Sequence, residues 1–280
     1  MTSSRECKPI IAIVTPSYNR AASLGRAIDS VLSQAYPYWR LIVVDDGSTD
    51  NSSAMIDTYT DERIMRLRIE HNRGHLAARN LALDHLPGDA DWITELDSDD
   101  YFLPEALSVM VEKLEQLPKV KNFRFGSQWE NGDSACGPVD PGQLVEYETK
   151  ISNRAPRGEW VVLMHRCFRD QGMRFNEKLR RTPNVALHLR IYQQGPVAHF
   201  PDVLRVMSKT EGSITRPIVK DKRYYLEQIA VHKVFFEQFG DDLKELDLLR
   251  YKKRLTSFKQ DCELAHLPLE QWPEFLKSVD

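Results

Sequence analysis

Short apolar runs alternate with segments of helical periodicity in the N-terminal part of the chain. Four runs have the length of β-strands, and two of them are continuously apolar, as in strands that are buried on both faces. They cover residues 10–14, 41–44, 64–69 and 92–96. Between them, apolar side chains recur at helical spacing, for example at Leu24, Ile28 and Val31. Strands that alternate with helices in this way predict crossover units and a parallel sheet.

Polar clusters follow three of these predicted strands. They cover residues 16–20, 45–50 and 97–100. In parallel α/β sheets, ligands bind beyond the carboxyl ends of the strands. We therefore expect the three clusters to converge on one crevice.

The third cluster is strongly acidic, with Asp97, Asp99 and Asp100 within four residues. Like charges at this density repel one another, and the simplest counter-charge is a divalent cation with oxygen ligands. An alternative is that Asp99 or Asp100 caps the helix predicted to begin near Pro104.

The regular alternation fades after residue 117. Residues 120–129 are predicted as a strand, 136–157 as a long loop or lid, and about 183–194 as a helix. From residue 220 onward the pattern is helical, with basic residues beside aromatic ones. That composition allows peripheral contact with a membrane. Interspersed acids instead favour a helix pair that covers the sheet or forms a homodimer contact.

Composition narrows the class of protein. The chain has 280 residues, 41% hydrophobic and 28% charged, which allows one large domain or one domain with an appendage. Its net charge of −3 gives no global basic field for nucleic acid. No apolar run approaches the ~20 residues of a membrane span, and the N-terminus lacks the apolar segment of a signal peptide. The four cysteines have no CxxC spacing, as expected of reduced thiols in a cytoplasmic protein.

Four motifs, in this order over residues 9–105, resemble those of family 2 glycosyltransferases. They are Thr-Pro-Ser-Tyr-Asn-Arg at 15–20, Val-Val-Asp-Asp-Gly-Ser-Thr-Asp at 43–50, Asn-Arg-Gly at 72–74 with Ala-Arg-Asn at 78–80, and Leu-Asp-Ser-Asp-Asp at 96–100. The resemblance implies an α/β fold of GT-A type, with a mostly parallel sheet flanked by helices and a C-terminal helical appendage. It also implies a nucleotide-sugar donor, commonly UDP-linked, and a glycan or lipid-linked acceptor.

The same resemblance divides the chain into three parts. Residues 1–105 would form the nucleotide-sugar-binding half of the GT-A domain, and residues 106–216 would form its acceptor-binding half. Residues 217–280 would be a C-terminal helical extension, which carries none of the family's motifs.

The resemblance assigns the acidic cluster to the metal and the sugar. Asp99 would bind the Mg²⁺ or Mn²⁺ that bridges the donor diphosphate. Asp97 would lie near the ribose or the transferred sugar, and Ser98 belongs to the same nucleotide-binding segment. A cation at this position neutralises the charge that develops on the departing nucleoside diphosphate.

The other motifs would bind the base and the rest of the nucleotide. Asp46 would accept the imide N–H of uracil, and Pro16 and Tyr18 would form the floor of the base pocket. Asn19 and Arg20 follow at the entrance of the next helix. Taken alone, these residues also fit an Asx-type turn and a rigid turn with a surface tyrosine.

Arg79 lies in the third predicted helix. The resemblance implies that it faces the nucleotide, and an equally weighted alternative is a solvated helix arginine.

The C-terminal half departs from the family at the general base. Leu187 and Arg190 fit the family's Leu-x-x-Arg, which puts Asn184 where the family has the aspartate that deprotonates the acceptor hydroxyl. An amide does not take a proton at neutral pH, so the catalytic residue stays unknown. Other carboxylates of this region could serve as the general base, and their spacing in the sequence does not distinguish among them. These are Glu177, Asp202 and Glu211.

A second departure follows, because Ser208 and Thr210 stand where the family often has an arginine and a histidine.

Two hypotheses for the function result from the motifs and these departures. The first is a metal-assisted, inverting glycosyltransferase of the hexosyltransferase kind, which would serve polysaccharide biosynthesis. The second is a weakly active or inactive homologue that binds nucleotide sugar and acts as a partner in glycan assembly.

Overall fold

A computed structural model of the chain describes residues 8–177, 185–208 and 220–277. Within these residues, nine strands form one sheet. They are β1 (Ile11–Ser17), β2 (Trp39–Asp46), β3 (Ile64–Ile69), β4 (Trp92–Glu95), β5 (Tyr101–Phe102), β6 (Asn122–Trp129), β7 (Gln143–Val145), β8 (Val161–His165) and β9 (Val197–Met207). The strand order is β3-β2-β1-β4-β8-β6-β9-β5, and β7 pairs with β9 beside this path.

Helices flank this sheet and continue beyond it. They are α1 (Leu24–Leu32), α2 (Ser52–Asp57), α3 (His75–Asp84), α4 (Ala106–Gln116), α5 (Tyr147–Ile151), α6 (Cys167–Asp170), α7 (Val185–Gln193), α8 (Lys222–Leu246), α9 (Leu248–Leu264) and α10 (Glu274–Lys277). A single 3₁₀ turn, Leu269–Gln271, precedes α10. The predicted α/β fold with a C-terminal helical appendage is confirmed.

Parallel pairing dominates the N-terminal half of the sheet, as the alternating pattern predicts. Strand β1 pairs in parallel with β2 and β4, and β2 pairs in parallel with β3. The C-terminal half is mixed, because β8 pairs antiparallel with β4 and β6 while β6 and β9 are parallel. The carboxyl ends of β1, β2 and β4 therefore meet at one edge, where the three polar clusters begin.

Each face of the sheet has its own hydrophobic core. Ile11 and Ile13 of β1 pack on one face with α1 and α4. Ala12 and Val14 pack on the other face with α3 and α7. Every residue of β1 is buried, which explains why the strand is apolar along its length without the alternation of a half-exposed strand.

The C-terminal half of the chain departs from the sequence predictions in two places. The long loop expected over 136–157 contains β7 and α5, of which only Val145 and Ile151 are buried, too few to give a periodic signal. The long strand β9 was not predicted, because Pro201 and Asp202 interrupt its apolar pattern. The helix expected over 183–194 is present as α7, and residues 183 and 184 lie outside the described residues.

The C-terminal helices pack onto the helices that overlie the C-terminal half of the sheet. Phe235, Phe239 and Leu243 of α8 form a buried cluster with Ile151 of α5 and Leu189 of α7. Helix α9 packs against α8 through a second cluster. Of the helices in the described residues, none has the length and apolar character needed to cross a membrane. Membrane contact and a homodimer contact of these helices stay predictions.

The register shift between β6 and β9 requires a glycine at position 126. A Cβ on Gly126 would lie 2.9 Å from the Pro201 carbonyl oxygen and 3.2 Å from that of Asp202. Because both contacts are with backbone, Gly126→Ala should lower the free energy of unfolding by about 1–3 kcal/mol, measured by urea denaturation. Gly88→Ala is the matched control, since its Cβ would meet no described atom within 4 Å. Equal losses for the two variants would contradict this account of β9.

Candidate functional site

The loops that follow β1 and β2 are tied together by side chains of the motifs. The backbone N–H of Asn19 donates to Ser48 Oγ at 2.9 Å, and Asn19 Oδ1 accepts from the N–H of Thr49 at 2.8 Å. The N–H of Arg20 donates to Ser52 Oγ at 2.8 Å. Asn19 has a φ of +51°, a left-handed conformation that asparagine tolerates better than most residues. The two loops thus form one continuous wall of the crevice.

The two aspartates that end β2 have different structural roles. Asp45 accepts a hydrogen bond from the Ser48 N–H at 3.0 Å, so the expected Asx-type turn belongs to Asp45. Asp46 accepts from the N–H groups of Arg73 and Gly74 at 2.8 and 2.7 Å, directly before α3. Asp46 therefore orders the start of α3. A hydrogen bond from uracil to Asp46 would be made in addition to these two backbone bonds.

Each carboxylate of the acidic cluster lies near a different arginine. The pairs are Arg79 with Asp97 at 2.6 Å, Arg20 with Asp99 at 3.8 Å and Arg205 with Asp100 at 3.5 Å. These arginines come from α3, the loop after β1, and β9. Guanidinium groups thus supply part of the counter-charge for which the sequence suggested a cation.

Arg79 is not a solvated helix arginine. Its side chain is 11% exposed and donates to Glu95 Oε2 at 2.7 Å as well as to Asp97. Burial alone would lower the pKa of Arg79, but the charges of Glu95 and Asp97 outweigh it and raise that pKa. Burial likewise acts to raise the pKa of Asp97, but the charges of Arg79 and Arg205 prevail and lower it. Both groups are therefore ionised at neutral pH.

Asp100 has a structural contact rather than a helix-capping role. It is 4% exposed and accepts from the Ser208 N–H at 3.1 Å, which joins the acidic segment to the end of β9. Burial raises the pKa of Asp100 to about 7, against the charge of Arg205. Helix α4 begins at Ala106 without a side-chain cap bond from its N-cap residue Glu105. The expectation that Asp100 caps this helix is therefore wrong.

An arginine that the motifs do not contain also reaches the acidic segment. Arg26 of α1 donates to the backbone carbonyl of Asp99 at 3.0 Å, to Glu130 at 2.8 Å and to Ser208 Oγ. Its guanidinium lies 4.7 Å from the ring centroid of Tyr101. The resemblance predicts a family arginine at the position of Ser208, and Arg26 of α1 brings a guanidinium group to this serine. No sequence signal pointed to Arg26, because its partners are 73 to 182 residues away.

Comparison with known proteins identifies the family of this chain. Residues 12–182 match the family model described as Glycosyl transferase family 2. This chain belongs to glycosyl transferase family 2. It is 36% identical to the succinoglycan biosynthesis protein ExoO of Rhizobium meliloti, over 84% of this chain and 70% of that protein.

Other relatives agree with this assignment, and solved structures agree with the fold. The chain is 32% identical over 51% of its length to the UDP-Glc:alpha-D-GlcNAc-diphosphoundecaprenol beta-1,3-glucosyltransferase WfgD of Escherichia coli, of which it covers 56%. It covers 42% and 40% of two further curated relatives. The chain therefore spans about half the length of such proteins. The crystal structure of S. aureus TarS 1-349 superposes with a TM-score of 0.68 at 17% identity, covering 93% of this chain and 76% of TarS. That likeness confirms the GT-A fold.

The remaining residues expected in this glycosyl transferase family 2 site occupy the same edge of the sheet or border it. Tyr18 is 41% exposed beyond the end of β1, within which Pro16 is buried. Ser98 is 6% exposed in the turn after β4. His75, at the start of α3, was not among the expected residues, and burial together with the charge of Arg79 lowers its pKa to about 4.

Two of the suggested substitute bases fall within the described residues. Glu177 is bonded to Arg73 and to the Asn80 amide at 2.8 and 2.9 Å, beside α3. Asp202 lies in β9 at the register shift opposite β6. Asn184, at the position predicted for the family's general base, lies outside the described residues, as do Thr210 and Glu211.

The acidic cluster fits one kind of metal site. In the described part of the chain, no group of three or more His, Cys, Asp or Glu residues could hold a metal ion by itself. Mg²⁺ in phosphate-handling sites is commonly bound by one or two carboxylates together with substrate phosphates. The Asp99 carboxylate is 13% exposed at the strand edge and fits that arrangement, in which the diphosphate supplies the other oxygen ligands.

The ion pair between Arg79 and Glu95 can be tested by a double-mutant cycle. Arg79→Gln should lower the free energy of unfolding by about 2 kcal/mol or more, because Glu95 and Asp97 then lose their shared counter-charge. Adding Glu95→Gln should recover part of the loss, giving a coupling free energy above about 1 kcal/mol in urea denaturation.

The exposed pair of Arg40 and Asp89, at 2.5 Å, is the matched control for this cycle. Arg40→Gln with Asp89→Asn should give a coupling below about 1 kcal/mol, as is usual for surface ion pairs. If the two cycles agree, Arg79 does not have the structural role assigned to it.

Proposed function

We propose that this chain transfers a sugar from a nucleoside diphosphate donor, most simply a UDP-sugar, to an acceptor hydroxyl with inversion at the anomeric carbon. The observation that carries the proposal is the meeting of three motif-bearing strand ends at one edge, with Arg20 beside Asp99 and Arg79 bonded to Asp97. WfgD, whose name gives a UDP-glucose donor and a diphosphoundecaprenol acceptor, supports this donor class and a glycan or lipid-linked acceptor. TarS was solved with UDP-GlcNAc and with UDP, which supports it further.

In this proposal the two halves of the sheet divide the substrates. Residues 1–105 would hold the donor, and residues 106–216 would hold the acceptor. Residues 217–280 would be a helical extension, which packs through α8 against α5 and α7. The strand direction reverses at β8, the strand of the 106–216 half that lies next to β4.

The base would bind at the wall formed by the loops after β1 and β2. The exposed ring of Tyr18 offers an apolar face on which a pyrimidine can stack, beside Pro16. Asp46 would accept the uracil imide N–H in addition to its two backbone donors, which would favour uridine. The loop is held in place by Asn19, so the stacking surface exists before the nucleotide arrives.

The diphosphate would lie against Arg20 and Asp99. Arg20 carries a positive charge 3.8 Å from the Asp99 carboxylate and would face the phosphate oxygens. Asp99 would hold Mg²⁺ or Mn²⁺, which when bound neutralises charge on the departing diphosphate. Asp97, fixed and kept ionised by Arg79, would accept hydrogen bonds from hydroxyl groups of the ribose or the sugar.

The transfer is a single displacement. The acceptor oxygen forms a bond to the anomeric carbon while the bond from that carbon to the phosphate oxygen breaks, which inverts the configuration. The proton of the acceptor hydroxyl leaves to a base, and the nucleoside diphosphate departs with the bonding electron pair. Positioning and electrostatic stabilisation by the fixed crevice would supply most of the rate enhancement.

A second candidate function follows from the asparagine at position 184. A chain that keeps the donor crevice but has an amide at the base position would bind nucleotide sugar and transfer it slowly. It would then act as a partner in glycan assembly. Turnover separates the two functions, since both predict that the crevice binds UDP.

The donor site can be tested through Asp99→Asn, which keeps the size of the side chain and removes its charge. In wild type, UDP with Mn²⁺ should raise the thermal unfolding midpoint, and a chelator should remove most of that rise. Asp99→Asn should weaken UDP–Mn²⁺ binding about 10-fold or more in calorimetric titration, because a charge-assisted ligand is lost. The exposed Asp57, mutated to Asn in the same way, should leave the affinity unchanged.

The outcomes of that experiment are distinct. Unchanged affinity of Asp99→Asn for UDP–Mn²⁺ would remove the metal assignment. Tight UDP binding in wild type without turnover of any UDP-sugar against a panel of glycan and lipid-linked acceptors would favour the second function. Absence of UDP binding in wild type would reject both.

A further inference from the structure

A buried arginine lies in the C-terminal half of the sheet, outside the donor crevice. Arg124 of β6 is 4% exposed, and its Nη1 donates to the Phe123 carbonyl at 3.0 Å and to Asn122 Oδ1. Its other terminal nitrogen, Nη2, is buried and makes no hydrogen bond with any described residue. Arg79 and Arg205, by contrast, both have carboxylate partners. Burying a cation without a hydrogen-bonded counter-charge costs several kcal/mol.

The register of the strands puts Arg124 close to the donor crevice. Arg124 pairs with Val162 of β8 and with His199 of β9, so these side chains share one face of the sheet. Thr94 of β4 pairs with Leu163, the residue after Val162. Because β8 runs antiparallel to β4, Arg124 is level with Glu95, two strands away from it. Arg124 thus lies beside the carboxyl end of β4, on the face covered by α5 and α7.

Other basic groups surround Arg124 on this face. Lys150 of α5 has its Nζ 5.3 Å from the centroid of the Tyr192 ring on α7. His199 is adjacent to Arg124 across the strand pair, and its ring lies 5.2 Å from that of Trp160. Lys150 and His188 of α7 are partly exposed, whereas Arg124 is buried.

Arg124 disfavours the protonated forms of its basic neighbours. Burial, together with the charge of Arg124, lowers the pKa of His188 to about 3 and that of Lys150 to about 8. The pKa of His199 falls to about 4 for the same two reasons. Glu95 is the carboxylate whose charge favours ionised Arg124, and it is already bonded to Arg79. At neutral pH the two histidines are therefore neutral, and Arg124 and Lys150 carry the positive charge of the cluster, which a bound anion would offset.

The cluster also offers hydrogen-bond donors that the described residues leave unused. Asn122 Nδ2 and Trp160 Nε1 are buried and, like Arg124 Nη2, have no hydrogen-bond partner in the described part of the chain. A tetrahedral phosphate carries up to two charges and several acceptor oxygens, whereas a carboxylate carries one charge in a plane. A guanidinium accompanied by further unbonded N–H donors matches the phosphate better.

We propose that Arg124, Lys150 and His188, with Asn122, Trp160 and His199, bind a phosphate group of the acceptor. The proposal rests on the proposed function, because it assigns a chemical group to the substrate that meets the donor sugar. The site adjoins the carboxyl end of β4, so a phosphorylated glycan or a prenyl diphosphate-linked sugar bound there would present its hydroxyl toward the donor. The acceptor then enters from the side of α5 and α7.

Arg124→Met tests this site, because it removes the guanidinium and keeps an unbranched side chain that fills part of the same space. In wild type, inorganic phosphate, a sugar 1-phosphate and a short prenyl diphosphate should each bind in calorimetric titration, with the site of UDP saturated. Arg124→Met should weaken all three by about 10- to 100-fold, the loss expected for a hydrogen bond to a charged group. Its affinity for UDP–Mn²⁺ should equal that of wild type, since Arg124 makes no contact with the donor motifs.

A second variant keeps the test valid if Arg124→Met does not fold. Lys150→Gln changes a partly exposed side chain of the cluster and should weaken the same three ligands several-fold. Arg40→Gln, which removes one positive charge from an exposed ion pair, is the control for general charge effects.

Two results would overturn the proposal. Phosphate ligands that bind all variants equally would show that the cluster does not hold them. Binding of inorganic phosphate alone, without the sugar phosphate or the prenyl diphosphate, would make this a site for the free anion and not for the acceptor. Loss of UDP–Mn²⁺ binding in wild type would instead count against the donor site, so the two failures are distinguishable.

Discussion

The ion pairs of Arg79 with Glu95 and Asp97 are the interaction on which the candidate site depends. Arg79 lies on α3, and both carboxylates belong to the end of β4, so this arginine joins the helix to the strand that carries the acidic cluster. The start of the same helix is ordered from β2, because Asp46 accepts the N–H groups of residues 73 and 74. Two of the three motif-bearing strands are therefore linked through α3.

Charge balance explains why an arginine lies beside each carboxylate of the acidic cluster. Three carboxylates within four residues would repel one another, and each has an arginine from a different part of the chain. The cluster is thus partly compensated before any ligand arrives, and no three acidic or histidine side chains of the described residues converge on a metal. A cation would bind here mainly in company with a diphosphate, which brings further negative charge and oxygen ligands. Such a site would couple metal binding to donor binding.

The local pattern of the chain was sufficient to predict the N-terminal half of this structure. Buried parallel strands leave continuous apolar runs, and the polar residues that follow them must meet at one edge. The arginines that balance the acids were harder to foresee. Arg26 reaches Asp99 and Ser208 across 73 and 182 residues, and Arg205 comes from β9, so only the tertiary fold brings them near. The short elements β7 and α5 bury too few apolar residues to leave a periodic signal.

The two halves of the sheet differ in how they compensate buried charge. In the donor half, Arg79 is paired with carboxylates, whereas Arg124 in the other half has basic neighbours and an unbonded nitrogen among the described residues. This contrast is the physical basis for assigning a donor with a metal to one half and an anionic acceptor group to the other. The sequence alone did not reveal it, because a single arginine in an apolar strand gives no indication of its partners.

The central claim is that the edge formed by β1, β2 and β4 binds a nucleoside diphosphate through the motifs that follow these strands. A crystal structure with UDP and Mn²⁺, with the metal located by anomalous scattering, tests it most directly. We expect the manganese peak at the Asp99 carboxylate, with the base stacked on Tyr18 near Asp46. A nucleotide bound on another surface, or a manganese peak away from Asp99, would contradict the account.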